Sequence, residues 1–122
     1  MAAGFLSGKF SKDSKYEGDD VRRVIKRFKT DNVVANQPLL DMLKNFADKK
    51  GATMAQVSLA LMLKKSPIVI PIPGMRRDAR IEENLSSVNV ELTDDEYNQL
   101  EKELSKITYL FSYIFYFLTL YI

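Results

Sequence analysis

The sequence predicts an α/β fold that is rich in helix and contains about one short strand. Two capping boxes, Thr53 with Gln56 and Thr93 with Glu96, mark the starts of two helices. Between them lies a short apolar run at 68–70, Ile-Val-Ile, of the kind that forms a parallel strand buried on both faces. The order helix, strand, helix favours an α/β fold over a helical bundle.

Two helices are predicted before the strand, over 38–49 and 54–64. In the first, apolar residues recur at three- and four-residue spacing, and Pro38 suits its first turn. This helix could also begin earlier, near Asn32, with a bend at Pro38. Lys49, Lys50 and Gly51 are typical of a helix end. The second helix is apolar on nearly all sides, which predicts deep burial.

Two further helices are predicted after the strand, over 79–86 and 94–105. Asp78 is expected to cap the first of these, with Ile81 and Leu85 facing the core. The start of the chain, 1–20, is rich in Gly, Ser, Lys and Asp and is predicted to be loop with at most short helical turns. Val21 to Thr30 fits either a short helix or an irregular packed segment.

Length and composition exclude several classes of protein. The 122 residues are too few for a complete (β/α)₈ barrel, which needs about 250. The absence of His and Cys excludes Ser-His-Asp and Cys-His catalysis, zinc fingers, iron–sulfur ligation and disulfide scaffolds. A net charge of +2, from 18 basic and 16 acidic side chains, argues against a nucleic-acid partner.

Residues 71–84, PIPGMRRDARIEEN, suggest an anion site between the strand and the next helix. Gly74 allows close approach of a ligand, and the helix start offers free amides and a positive dipole end. Arg76, Arg77 and Arg80 carry forked donors that suit a phosphate. The same arginines, with the acidic residues nearby, also fit a solvated ion-pair surface. Neither GxGxxG nor a P-loop sequence occurs, so a Rossmann or P-loop site is unsupported.

Several short motifs follow one another in a fixed order along the chain. They are GFLSGK at 4–9, RF at 27–28, KGATMAQVSLA at 50–60, IPIPGMRR at 70–77, IEENL at 81–85 and VELT at 90–93. From Gly4 to about Leu104 this ordered set resembles the C-terminal part of the aldo-keto reductases, (β/α)₈ barrel enzymes that use NADPH. The turn resembles the branch with Ile-Pro-Gly rather than Ile-Pro-Lys-Ser, although Met75 replaces the frequent Thr or Ser and removes a hydroxyl donor.

The resemblance implies both the fold and a cofactor site for NADPH. Residues 1–106 would be the incomplete end of a TIM barrel, from the loop after strand seven to the terminal helices, with 68–70 as strand eight. The phosphate site of such barrels commonly lies in the loops after strands seven and eight. The implied contacts are Gly4, Phe5, Leu6, Ser7 and Gly8 along the pyrophosphate, Gly74, Met75, Arg76 and Arg80 at the 2′-phosphate, and Glu83 and Asn84 at adenine.

The catalytic Asp, Tyr, Lys and His of the family lie in the first half of its barrel, and no residue here matches those motifs. The resemblance therefore predicts a fragment of an NADP(H)-dependent oxidoreductase that is inactive alone. An enzyme assignment rests on the family resemblance. Two alternatives stay open: a non-catalytic nucleotide-binding or interaction module, and a tail-anchored membrane protein.

The last residues, 107–122, carry no charge and do not match the family, so we set a boundary near Lys106. As a helix they would span about 24 Å, whereas a membrane span needs about 20 residues. Non-native sequence from a truncated reading frame is the preferred interpretation, with a membrane anchor or a cover for the half-barrel as alternatives.

Exposed sheet edges predict possible self-association. With no signal peptide at the N-terminus, cytoplasmic localisation is the expectation, and membrane anchoring is its alternative.

Overall fold

The computed structural model describes residues 2–9, 11, 13–25, 28–74 and 76–106, and these are helical or irregular. The α-helices are α1 Thr30–Ala35, α2 Gln37–Lys50, α3 Met54–Lys65, α4 Asp78–Leu85 and α5 Asp94–Ser105. Short 3-10 helices occupy Ala2–Ser7, Val21–Arg23 and Ser86–Asn89. The four predicted helices are thus confirmed, each end lying within one residue of its expected position.

Both predicted capping boxes form. At the start of α3, the amide of Thr53 donates to Gln56 Oε1 at 2.8 Å and the amide of Gln56 donates to Thr53 Oγ1 at 3.2 Å. At the start of α5, Thr93 and Glu96 make the same two bonds at the same distances. Each box satisfies two backbone donors that a helix start otherwise leaves without partners.

The ends of α2 follow local chemistry as well. Pro38 lies in its first turn, and Gly51 ends it in the left-handed region at φ 60°. The suggested earlier start appears as the separate helix α1, which joins α2 at Asn36. The Gly51 amide donates toward the carbonyls of Ala47 and Asp48, so the last turn is closed by the backbone itself.

The core lies between α2, α3, α5 and the N-terminal 3-10 helix. The apolar stripe of α2 is buried, and α3 is buried on most of its sides, as predicted. Phe5 packs edge-to-face on Phe28, with ring centroids 5.8 Å apart. Ion pairs from Lys50 to Glu96 and from Lys65 to Glu101 connect α2 and α3 to α5. The fully buried large side chains are Phe5, Val33, Leu43, Val57 and Leu100.

The strand predicted over 68–70 is not confirmed. Ile68 and Ile70 are 68% and 82% exposed, and the Val69 amide bonds locally to the Ser66 carbonyl at 3.1 Å. A strand exists only where a neighbouring strand accepts and donates its hydrogen bonds, and the described residues contain no such neighbour. The expected burial on both faces is therefore wrong for this chain, although the apolar run itself remains.

The expected orientation of α4 is also wrong. Ile81 and Leu85 are 37% and 63% exposed, whereas the polar Asn84 is buried. Arg77, not Asp78, occupies the N-cap position, and no side chain caps the helix there. On its inward side α4 makes hydrogen bonds, from Gln56 to the Glu83 carbonyl and from Asn84 to the Gly74 carbonyl.

The chain after Lys106 lies outside the described residues. The boundary placed there, and the interpretations of 107–122 as non-native sequence, anchor or cover, therefore stay predictions. Across the part that the structure describes, no helix combines the length and apolar character needed to cross a membrane.

Candidate functional site

The 71–84 segment is closed on itself by one polar contact. Asn84 Nδ2 donates to the carbonyl of Gly74 at 3.4 Å, across ten residues of chain. The Asn84 side chain is buried and Gly74 is exposed, so this contact is partly shielded from water. It holds the glycine turn against the C-terminal half of α4, which brings the turn and the helix into one unit.

The start of α4 concentrates positive charge. Arg76 and Arg77 are exposed, and within the described residues neither forms an ion pair. The amides of Arg80 and Ile81 bond back to the Arg77 carbonyl at 2.8 and 3.2 Å, so the helix begins there. The first amides of a helix lack partners within it and form the positive end of its dipole. Despite the carboxylate of Asp78, this end of α4 suits an anion.

Arg80 and Glu83 form an ion pair one turn apart on α4, and both side chains are partly exposed. The resemblance implied that Arg80 meets the 2′-phosphate and that Glu83 meets adenine. The structure pairs the two with each other. A guanidinium carries five donors, so Arg80 retains donors for an anion while Glu83 limits its movement.

The predicted pyrophosphate loop, 4–8, packs on the core. Phe5 and Leu6 are buried, so their side chains face the interior, and any contact with a ligand would fall to the backbone. Ser7 is half-buried and Gly8 is exposed. Gly8 has φ +70°, and a Cβ at this position would lie 2.6 Å from Met54 Sδ. This loop therefore lies against the first turn of α3.

Gln56 connects α3 to α4, but the sequence analysis did not identify it as a site residue. Gln56 Nε2 donates to the Glu83 carbonyl at 3.1 Å and to Ser86 Oγ at 2.7 Å. The first turn of α3 therefore contacts the 4–8 loop through Met54 and α4 through Gln56. The available signal was the Gln itself, whose amide group keeps two donors after its oxygen has completed the capping box.

Both predicted parts of the site, the 4–8 loop and α4, thus contact the first turn of α3. The remaining predicted residue, Met75, lies outside the described residues. Together the two parts offer exposed guanidinium groups, a helix start and a glycine turn. Such a combination is chemically suited to a phosphorylated ligand.

Comparison with known proteins identifies the family of the chain. The sequence model of the Aldo/keto reductase family matches residues 1–104, so the chain belongs to the aldo-keto reductase family. Its described part is helix-rich, and the family fold is the (β/α)₈ barrel. The resemblance read from the short motifs is therefore confirmed.

Three curated relatives show the extent of the likeness. Aldo-keto reductase str7 of Strobilurus tenacellus is 32% identical over 84% of this chain and 30% of its own length. A Schizosaccharomyces pombe protein, aldo-keto reductase yakc, named with NADP(+), is 31% identical over 77% of this chain and 28% of its own. An aldo-keto reductase of Gibberella moniliformis is 33% identical over 69% of this chain and 25% of its own. The chain thus spans less than a third of each relative.

Proposed function

We propose that the chain is part of an NADP(H)-dependent aldo-keto oxidoreductase and carries the end of the cofactor site that binds adenosine and its 2′-phosphate. The observation that carries this proposal is the pair of exposed arginines, Arg76 and Arg77, at the start of a helix whose position is held by Asn84 and Gln56. The S. pombe relative, whose name includes NADP(+), supports the choice of cofactor.

The residues present fit the phosphate end of this cofactor. A 2′-phosphate adds about two negative charges, and forked arginine donors bind such a group by short charge-assisted bonds. Arg76 and Arg80 would hold the phosphate, and Asn84 would border adenine while it secures Gly74. The backbone of the 4–8 loop would follow the pyrophosphate. When bound, the cofactor supplies the hydride for carbonyl reduction.

The proposed role is binding rather than turnover by this chain alone. Reduction of a carbonyl needs a proton donor beside the accepting oxygen, and no residue here matches the family's Asp, Tyr, Lys and His. We therefore expect the 122-residue chain to show no NADPH-dependent reduction of aldehydes or ketones. Turnover by the purified chain would contradict this part of the proposal.

The direct test is calorimetric titration of NADPH and NADH into the wild-type chain and the Arg80→Ala variant. We expect wild type to prefer NADPH. The variant should lose up to about tenfold in NADPH affinity, because a charged hydrogen bond contributes about 1.5 kcal/mol or more when shielded and less in open solvent. NADH affinity should change little.

A matched control is Lys44→Ala, which removes one positive charge from an exposed pair within α2. This variant should leave both affinities unchanged, since a surface pair of this kind contributes little. Equal binding of NADPH and NADH by wild type would indicate that Arg76, Arg77 and Arg80 form a solvated charge cluster and not a 2′-phosphate site. An equal loss in the Lys44 variant would show that only net charge matters.

A further inference from the structure

We infer that Gln56 is a positioning residue for the nucleotide site, because its side-chain amide sets where α4 lies and so supports selection of the 2′-phosphorylated cofactor. The nucleotide part of this inference rests on the proposed function. The placement of α4 rests on hydrogen bonds alone and can be tested without a ligand.

The two capping boxes of the chain show what is particular to Gln56. Both boxes bond their own helix start at 2.8 and 3.2 Å, so either Gln or Glu suffices for capping. Glu96 then adds an ion pair to Lys50 at 2.8 Å, which a carboxylate serves. Gln56 instead faces the Glu83 carbonyl, which can only accept, and the Ser86 hydroxyl, which donates its own proton to the Glu82 carbonyl, so both accept from the amide. The residue type at each box thus fits its tertiary partner.

The orientation of the Gln56 amide is fixed by hydrogen bonds at both its oxygen and its nitrogen. Its oxygen is occupied by the Thr53 amide, which leaves Nε2 directed at the Glu83 carbonyl and Ser86 Oγ. Both acceptors lie at the end of α4, and Ser86 Oγ also lies 2.8 Å from the Glu82 carbonyl. One side chain therefore connects the start of α3 to the end of α4.

The connection adds to the packing of α4 on α3, which is both direct and through the 3-10 helix Ser86–Asn89 that follows α4. The α4 helix has eight residues, fewer than an isolated helix needs to be stable, and its apolar residues Ile81 and Leu85 face away from the core. Besides the bond from Gln56, one other polar contact in the described residues joins α4 to a residue distant in sequence, the bond from Asn84 to Gly74. Gln56 bonds the carbonyl of Glu83, the residue next to Asn84, so its loss would move the side chains assigned to the nucleotide.

The experiment separates the bridge to α4 from the cap of α3. Gln56→Met removes the Nε2 donors with a neutral side chain of similar length. Gln56→Glu keeps the oxygen that caps α3, as Glu96 does for α5, and serves if the Met variant does not fold. Thr53→Ala is the matched control, because it removes the side-chain cap and leaves the backbone amide that orients Gln56.

Two measurements are made on each variant of the full chain: the ratio of NADPH to NADH dissociation constants, and hydrogen exchange of the α4 amides. We expect Gln56→Met to speed exchange in α4 and to lower the preference for NADPH by about threefold to tenfold, the effect of losing a partly buried hydrogen bond. Thr53→Ala should lower the melting temperature but keep both the ratio and the relative protection of α4.

The results distinguish this inference from the proposed function. A wild-type chain without a preference for NADPH overturns the proposed function and the cofactor part of the inference. The exchange measurement still decides whether Gln56 holds α4. Unchanged exchange and an unchanged ratio in both Gln56 variants overturn the inference, as do equal effects in Thr53→Ala.

Discussion

Gly8 shows how one residue can serve two needs at once. Its φ of +70° lies in the left-handed region, and a side chain there would meet Met54 Sδ at 2.6 Å. Gly18 has a similar φ of +60°, but nothing lies within 4 Å of the position that its Cβ would take. The two glycines share one backbone demand and differ in the space around them.

We therefore expect Gly8→Ala to be more destabilising than Gly18→Ala. The left-handed backbone alone should cost about 1–2 kcal/mol in each variant. At Gly8, turning the flexible Met54 side chain aside should add about 0.5–1.5 kcal/mol. Urea denaturation followed by circular dichroism measures both variants, and equal losses would show that Met54 moves without cost.

Among the helices, α5 is joined to α2 by a pair that depends on pH. Lys50 lies 2.8 Å from Glu96 Oε2, and the same carboxylate accepts the Thr93 amide. The hydrogen bond from Lys50, followed by that from Thr93, holds the pKa of Glu96 below its ordinary value of 4.5. A lowered pKa in the folded state means that the ionised form is favoured by folding.

The stabilisation from Glu96 should thus be present above about pH 4.5 and be lost as pH falls through the lower folded pKa. Glu96→Gln keeps an oxygen for the cap but cannot form the ion pair. We expect this variant to melt at a lower temperature than wild type at pH 7 and to lose less stability on acidification. Identical pH profiles from pH 7 to 3 would exclude this linkage.

Helix bounds were predictable from sequence because their signals are local. Thr53 with Gln56, Thr93 with Glu96, and Gly51 act within a few residues, and the structure confirms all of them. The strand at 68–70 and the inward face of α4 were not predictable in this way. A strand needs a partner elsewhere in the fold, and α4 is oriented by Gln56, which lies 27 residues from Glu83.

On the scale of the whole chain, the apolar residues Ile68, Ile70 and Ile72 form an exposed strip, with exposed fractions of 68%, 82% and 94%. Contiguous exposed apolar surface favours association. Pro71 and Pro73 alternate with these residues and cannot donate hydrogen bonds, so pairing through backbone strands is restricted. Self-association at this strip should be driven by apolar contact.

We expect Ile70→Thr to reduce concentration-dependent association while changing the free energy of unfolding by no more than about 0.5 kcal/mol, as is usual for exposed positions. Sedimentation velocity over a concentration series measures the effect. Val34→Thr is the control, because Val34 is an exposed apolar residue on α1, outside the strip. An equal reduction in the control would indicate general surface hydrophobicity rather than the 68–72 strip.

Some features of the candidate site were predictable from the sequence, and others were not. The motifs indicated the family, which the family match over 1–104 confirms, and the roles assigned to 4–8 and 74–84 stay predictions. The pairing of Arg80 with Glu83 follows a helical spacing that a sequence shows directly. The contact of Asn84 with Gly74 required the turn to fold back on its helix.

The sequence by itself determined the ends of the helices and the apolar stripe of α2, because capping and periodicity depend on neighbours three or four residues away. It also indicated the family, through the resemblance of its ordered short motifs, and the family match confirms this. Only the tertiary structure decided that Asn84 is buried while Ile81 and Leu85 are exposed. It also decided that the Gln56 amide serves α4 as well as α3. The physical reason is distance along the chain: such contacts form only after α3 and α4 have packed together, and no local pattern specifies that packing.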